Sequence, residues 1–116
     1  MTFNVLARNY DDHTKNFAFI LRRNDRWRLA PAYDLCHAYR PDSIWVSQHA
    51  LSINGKRKDH RKDDLLSVAR SMNIKKAEKI ISEIAAVVHN WKHYANDVGV
   101  SDNKSKAIQE TFIQLK

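Results

Sequence analysis

Apolar residues in the second half of the chain return at three- and four-residue steps: Ile74, Ala77, Ile81, Ile84, Val88 and Trp91 form one stripe. That period predicts a single long amphipathic helix, stopping near Gly99. Ahead of it, Leu65-Leu66-Ser67-Val68-Ala69-Arg70-Ser71-Met72 predicts another helix, with Asp63-Asp64 in its first turn where the helix dipole favours negative charge. Beyond Gly99, Ser101 or Asp102 is placed to cap a last helix carrying Ala107, Ile108, Phe112 and Leu115. The first half reads differently. Phe3-Asn4-Val5-Leu6-Ala7 predicts the end of a short helix, and the run Phe17-Ala18-Phe19-Ile20-Leu21 predicts a buried strand. A polar turn at Arg23-Asn24-Asp25-Arg26 then separates residues 17–22 from 27–30 as the two arms of a hairpin. From Cys36 to Asp42 the chain is expected to be irregular, Pro41 discouraging regular structure. Ile44-Trp45-Val46 and Leu51-Ser52-Ile53 are short apolar runs, the second ending at the turn dipeptide Asn54-Gly55. The expected fold class is mainly α with a small β-hairpin, one domain over residues 1–116 with its helical region at 63–116.

Composition narrows this little. With 116 residues the chain can bury a modest core but is small for an enzyme that binds two substrates. No apolar run approaches membrane-spanning length, and Met1-Thr2-Phe3-Asn4 lacks the charged and apolar regions of a signal peptide, so no membrane association is expected. One cysteine, Cys36, allows no internal disulfide; a reducing cytoplasm is the simplest home and a small buried filler the simplest role. The formal charge of +7 implies attraction to polyanions. It is concentrated at Arg22, Arg23, Arg26 and Arg28 and in Lys56-Arg57-Lys58-Asp59-His60-Arg61-Lys62, both also readable as a solvated turn and a solvated loop. No aromatic residue interleaves with the second cluster, so direct nucleic-acid binding is expected to be weak at most.

The candidate chemistry lies in residues 9–16, Asn9-Tyr10-Asp11-Asp12-His13-Thr14-Lys15-Asn16, which crowd carboxylates, an imidazole, an ammonium and carboxamides beside the first strand. Polar groups packed that densely are costly to order unless water or a ligand satisfies them. Asp11 and Asn16 are five apart, the spacing of the catalytic Asp and metal-binding Asn in the kinase loop H-R-D-x-x-x-x-N. A carboxylate can orient or accept a hydroxyl proton, and a carboxamide oxygen is a neutral hard ligand for magnesium. Eighteen residues after Asn16 comes Asp34, in the stretch Ala30-Pro31-Ala32-Tyr33-Asp34-Leu35 (residues 30–35). A hairpin between them brings its outer ends together, so Asn16 and Asp34 can face one site. Each residue has a plainer alternative. Asp11 can cap or turn the backbone, Asp12 can stabilise the loop, His13 can orient it, and Lys15 can neutralise phosphate or stand exposed. Tyr33 is expected to pack beneath Asp34, while His37, His49, His60, His89 and His93 receive no role. A metal-dependent phosphohydrolase built on Asp11, Asp12, His13 and Asp34 is a weaker alternative.

These residues also carry a resemblance. Phe3-Asn4-Val5-Leu6-Ala7-Arg8-Asn9, Asp11-Asp12-His13-Thr14-Lys15-Asn16-Phe17, Arg28-Leu29-Ala30-Pro31-Ala32-Tyr33-Asp34-Leu35 and Ala50-Leu51-Ser52-Ile53-Asn54-Gly55-Lys56 together resemble the C-terminal lobe of HipA-type serine/threonine kinases. His13 follows the catalytic Asp instead of preceding it, and Asp34 is followed by Leu35-Cys36 instead of Phe-Gly; both look like the HipA-type arrangement. The resemblance implies the helical C-lobe of a protein-kinase-like fold, with Asp11, His13 and Lys15 as catalytic residues. It implies Lys15, Asn16 and Asp34 on the nucleotide, Asn16 and Asp34 on the metal, and Mg2+ and ATP as cofactors. By resemblance the family acts as the toxin of toxin–antitoxin pairs, with a HipB-like DNA-binding antitoxin as partner and aminoacyl-tRNA synthetases among its protein substrates. The chain resembles a C-terminal portion, so an N-terminal-lobe partner is expected, and the isolated chain is expected to be inactive. The alternative is a non-catalytic basic module with antitoxin, DNA or tRNA contacts.

Overall fold

A computed structural model describes residues 1–23 and 25–115; Asn24 of the expected turn and Lys116 lie outside the described residues. The chain runs α1 (Thr2–Leu6), a single 3₁₀ turn (Thr14–Asn16), β1 (Phe19–Leu21), β2 (Trp27–Leu29), α2 (Lys62–Ser71), α3 (Ala77–His89), α4 (Trp91–Asp97) and α5 (Asp102–Gln109). It is mostly helical, with a small two-stranded antiparallel sheet. Among the described residues, no helix is long and apolar enough to cross a membrane.

The five-residue helix α1 is the hub of the core. Val5 is fully buried in a cluster with Ile53, Leu65 and Ile81, while Leu6 and Ala7 pack with Val88 in a second cluster flanked by Phe3, Ile84, Phe112 and Leu115. Such a short helix has little stability of its own; burial of Val5 and Leu6, each worth about 1.5–3 kcal/mol, and contacts with α3 hold it. The C-terminal tail locks it further, since Ile113 N donates to the Leu6 carbonyl at 3.0 Å and Arg8 Nε to that of Thr111 at 2.7 Å.

Two expectations about the elements are corrected here. The stripe from Ile74 to Trp91 is not one helix: α3 ends at His89 and α4 starts at Trp91, with Asn90 (φ −81, ψ 12) between them. Asn90 N donates to both Ala86 and Val87 carbonyls, a tightened last turn, and Asn is a poor helix-interior residue because its amide competes with the backbone. The bend lets Trp91 turn its Nε1 onto the Ser105 carbonyl at 2.9 Å. Ile81 and Val88 are core as expected, but Ile74 precedes the helix and is exposed.

The second correction concerns the hairpin. Its register pairs Phe19 with Leu29, Ile20 with Arg28 and Leu21 with Trp27. Side chains alternate along a strand, so Phe19, Leu21, Trp27 and Leu29 share one face. The sequence predicts a buried first strand, yet Phe19 and Leu21 are 65 and 52% exposed, and Trp27 and Leu29 on β2 are 66 and 63% exposed. More than half of each of these side chains meets solvent, because the core gathers around α1. At the far end of the irregular segment, Asn54 and Gly55 both take positive φ (51° and 76°) and close a tight turn between Ile53 and Lys56, as the dipeptide predicts.

Candidate functional site

The loop 9–16 is tied to α1 at its start. Asn9 N donates to the Asn4 carbonyl at 2.9 Å and Asn9 Nδ2 to Asn4 Oδ1 at 3.2 Å. Arg8, in the left-handed region (φ 56), is held by its guanidinium, whose Nη1 donates to the Tyr10 hydroxyl at 2.8 Å and which stacks 4.3 Å from the Tyr39 ring centroid. A parallel bridge follows, with Tyr10 N on the Ala38 carbonyl and Ala38 N on that of Arg8, each at 3.0 Å. The chain entering Asp11 is thereby set by Arg8, Asn9 and Tyr10 before the side chains of residues 11–16 contribute.

Asn16 then gathers the expected constellation. Its Nδ2 donates to the Asp11 backbone carbonyl at 2.9 Å and to Asp34 Oδ2 at 2.9 Å. Asp34 adopts φ 54, a conformation Asp tolerates better than most residues, and its carbonyl accepts from Asn9 Nδ2 at 3.2 Å. Asp11, Asn16 and Asp34 are therefore neighbours, although the hairpin separates the last two by eighteen residues. Asn16 and Asp34 line a cavity of about 440 Å³ with Asn9, Asp12, Leu29 and Tyr33 among its walls, within the usual range for small-molecule sites. The Asp11 side chain is 53% exposed, open to a group approaching from solvent.

The remaining candidates fall into place around these three. His13 Nε2 lies 3.6 Å from Asp11 Oδ1, a charge-pair distance too long for a hydrogen bond, and its buried Nδ1 has no partner among the described residues. Lys15 is exposed, and its carbonyl accepts from the Tyr33 hydroxyl at 2.7 Å. Tyr33 is thus a half-exposed latch on the 3₁₀ turn rather than packing beneath Asp34. Cys36 is exposed, not a buried filler. Loss of surrounding water and the Asp34 and Asp11 carboxylates push its thiol up, away from the thiolate a nucleophile needs.

Asp12 does not join Asp11. It is 4% exposed and spends its carboxylate on the fold: Oδ2 meets His49 Nδ1 at 2.8 Å, while Oδ1 accepts from Ala50 N at 2.8 Å and Leu51 N at 3.3 Å. Burial pushes its pKa up, but the His49 contact and the Leu51 and Ala50 N–H groups outweigh that and hold it below the ordinary value. A phosphohydrolase using Asp12 as a metal ligand loses its second carboxylate on this geometry. His49, fully buried with its ring centroid 4.2 Å from that of the tilted Tyr10 ring and 5.0 Å from that of the edge-on His60 ring, is the residue sequence reasoning missed. Its partner lies 37 residues away, and no local pattern marks it.

Residues 1–91 match the family model of the HipA-like C-terminal domain, and the chain belongs to that family. Neither the curated proteins nor the solved structures yield a match. The matched range takes in the loop, the hairpin, Asp34, α2 and α3; α5 lies beyond it. Membership sets the chain in the context of kinase-type toxins of toxin–antitoxin systems.

Proposed function

We propose that this domain is the catalytic and magnesium-binding half of a HipA-type protein kinase, which transfers phosphate from ATP to a protein serine or threonine once an N-terminal lobe completes it. The observation that carries the reading is the carboxamide of Asn16, which ties the backbone of Asp11 to the carboxylate of Asp34. Its Nδ2 is used in both bonds, so Oδ1 is its remaining acceptor, beside a carboxylate with a second oxygen to spare. Magnesium prefers hard oxygen ligands and is held by one or two protein groups, with waters and substrate phosphates completing the shell. Asn16 and Asp34 fit that requirement and would hold the ion. Among the described residues no cluster of three His, Cys, Asp or Glu offers an all-protein site, which suits an ion shared with a nucleotide. Bound there, the ion would neutralise developing charge on the transferred phosphoryl group.

Asp11 has the complementary task. Its exposed carboxylate accepts a hydrogen bond from an incoming hydroxyl and aims the oxygen lone pair. His13, at 3.6 Å, supports the orientation of that carboxylate, and Lys15 contributes positive charge near the phosphates. The uncovered apolar face of the hairpin supports the reading that the lobe works against a further lobe, since a patch of that kind marks an interaction surface. A HipB-like antitoxin and an aminoacyl-tRNA synthetase substrate follow from the resemblance alone, and a cytoplasmic setting from the single cysteine. The test is manganese titrated into labelled domain. Paramagnetic broadening should begin at the Asn16 side-chain amide and Asp34 and disappear in Asp34→Asn. Broadening centred elsewhere removes the metal assignment.

The non-catalytic module remains as a second reading, favoured by one observation: the same hairpin exposes Trp27 and Leu29 beside Arg26 and Arg28. Tight, sequence-selective duplex binding that survives physiological salt would promote it, because non-specific phosphate contacts weaken steeply with salt.

A further inference from the structure

The loop after the Asn54-Gly55 turn folds around an open hollow of about 510 Å³, lined by residues distinct from those around Asn16. Gln48, Lys56, Arg57, Lys58, Asp59 and Arg61 line it, placing four cations and one carboxylate around a single concavity. Like charges gathered this way repel, and a merely solvated run would splay them apart. Here two are pinned. Lys56 Nζ lies 2.9 Å from Oδ1 of the buried Asp64, and Arg57 Nε donates to the His49 carbonyl at 2.6 Å. The bond from His49 N to the Arg57 carbonyl, at 2.8 Å, closes that pair from the other side. With Nε committed, the terminal nitrogens of Arg57 are left as a pre-oriented fork, the geometry that suits a phosphate-type oxyanion. Lys58 and Arg61 form no ion pair among the described residues and supply unspent charge.

We propose that this hollow is a binding site for a compact phosphate-type oxyanion, held by the Arg57 fork with Lys58 and Arg61. It is separate from the Asn16–Asp34 cavity and goes beyond the kinase reading. The lining carries no aromatic side chain, so a nucleobase has no platform to stack on. The cations converge on one concavity instead of following a line, which favours a compact group over an extended backbone. Because Arg57 hangs on the His49 carbonyl and the His49 ring is fixed on Asp12, an anion engaging the fork polarises the Arg57–His49 bond and so should shift the His49 signals. Ions condensing on a charged surface leave that buried imidazole untouched.

The experiment is titration of pyrophosphate into the labelled chain at constant ionic strength, followed by NMR of the loop amides and the His49 ring. Saturable shifts at Arg57, Lys58 and His49 are expected, weakened about tenfold for each of Lys58→Gln and Arg61→Gln through loss of a charge-assisted contact. Neither side chain has a hydrogen-bond or ion-pair partner among the described residues, so both variants should keep the wild-type fold. Arg57→Lys, which keeps the charge but lacks the fork, should weaken binding and abolish the His49 shift. Shifts that grow linearly, that chloride reproduces, or that the variants leave unchanged would overturn the site. So would a short DNA duplex that saturates these residues where pyrophosphate does not. None of these readouts depends on phosphate transfer, so the kinase reading can fail without touching the result.

Discussion

Asn16 and Asp34 are joined by a 2.9 Å hydrogen bond across a hairpin whose apolar face is more than half exposed. The bond converts a sequence interval into a site, because it holds the carboxylate beside the one carboxamide that also grips the Asp11 backbone. A residue that positions a hydroxyl acts mainly in the transition state, whereas a metal ligand also acts in the ground state. In a chain joined to a HipA-type N-terminal lobe, Asp11→Asn should lower phosphate transfer by about 10²–10⁴. MgATP affinity and melting temperature should stay near the parent. Asp34→Asn should weaken MgATP binding as well. Transfer within a few-fold of the parent in Asp11→Asn makes Asp11 a loop-building residue.

The isolated domain should bind nucleotide poorly. Both glycines, Gly55 and Gly99, take positive φ in turns after the hairpin, so neither builds a glycine-rich phosphate cover for the nucleotide. Calorimetry with MgATP should give a Kd no tighter than on the order of 1 mM. Micromolar affinity would show that phosphate binding is built from other groups.

Acid should destabilise the chain through Asp64. Its carboxylate accepts from Arg61 N at 2.8 Å, from Asn54 Nδ2 at 2.8 Å and from Lys56 Nζ at 3.0 Å. The Arg61 N–H, then Asn54 and Lys56, hold its pKa well below the usual carboxylate range. The unfolded chain therefore takes up a proton first. The stabilisation is complete above the unfolded value of about 3.9 and is lost as pH falls through the folded one. Denaturant melts across that window should show stability falling with pH, with a shallower slope in Asp64→Asn. Equal slopes would show that Asp64 does not carry the effect.

Asp12→Ala should be a stability mutant. It strips acceptors from His49 Nδ1, Ala50 N and Leu51 N in the interior, at a cost of about 3 kcal/mol. The melting temperature should drop by roughly 10 °C. A change below about 1 kcal/mol would mean that water replaces the lost carboxylate.

On the hairpin the opposite holds. Trp27→Ser and Leu29→Ser remove mostly exposed side chains, so stability should move by no more than about 0.5 kcal/mol. Binding of a hydrophobic dye or self-association should fall. A large loss of stability would show that the sheet face is covered in solution.

Local chemistry made much of this protein legible from its residues in order. The Asp11, Asn16 and Asp34 spacing, the Asn54-Gly55 turn and the acidic first turn of α2 each depend on neighbours a few residues away or on one hairpin closure. The break at Asn90 is masked because the periodicity runs through it, and the seat of Trp91 on Ser105 depends on α4 packing against α5. The tertiary structure alone decided that His49 clamps Asp12, that Lys56 and Asn54 converge on Asp64, and that Phe19, Leu21, Trp27 and Leu29 face water. Hydropathy records that burial of an apolar strand is favourable, but burial needs a second surface, and which surface is available depends on where the core closes. The core closes around Val5 and Leu6, leaving that strand uncovered and setting the buried histidine against the carboxylate next to Asp11.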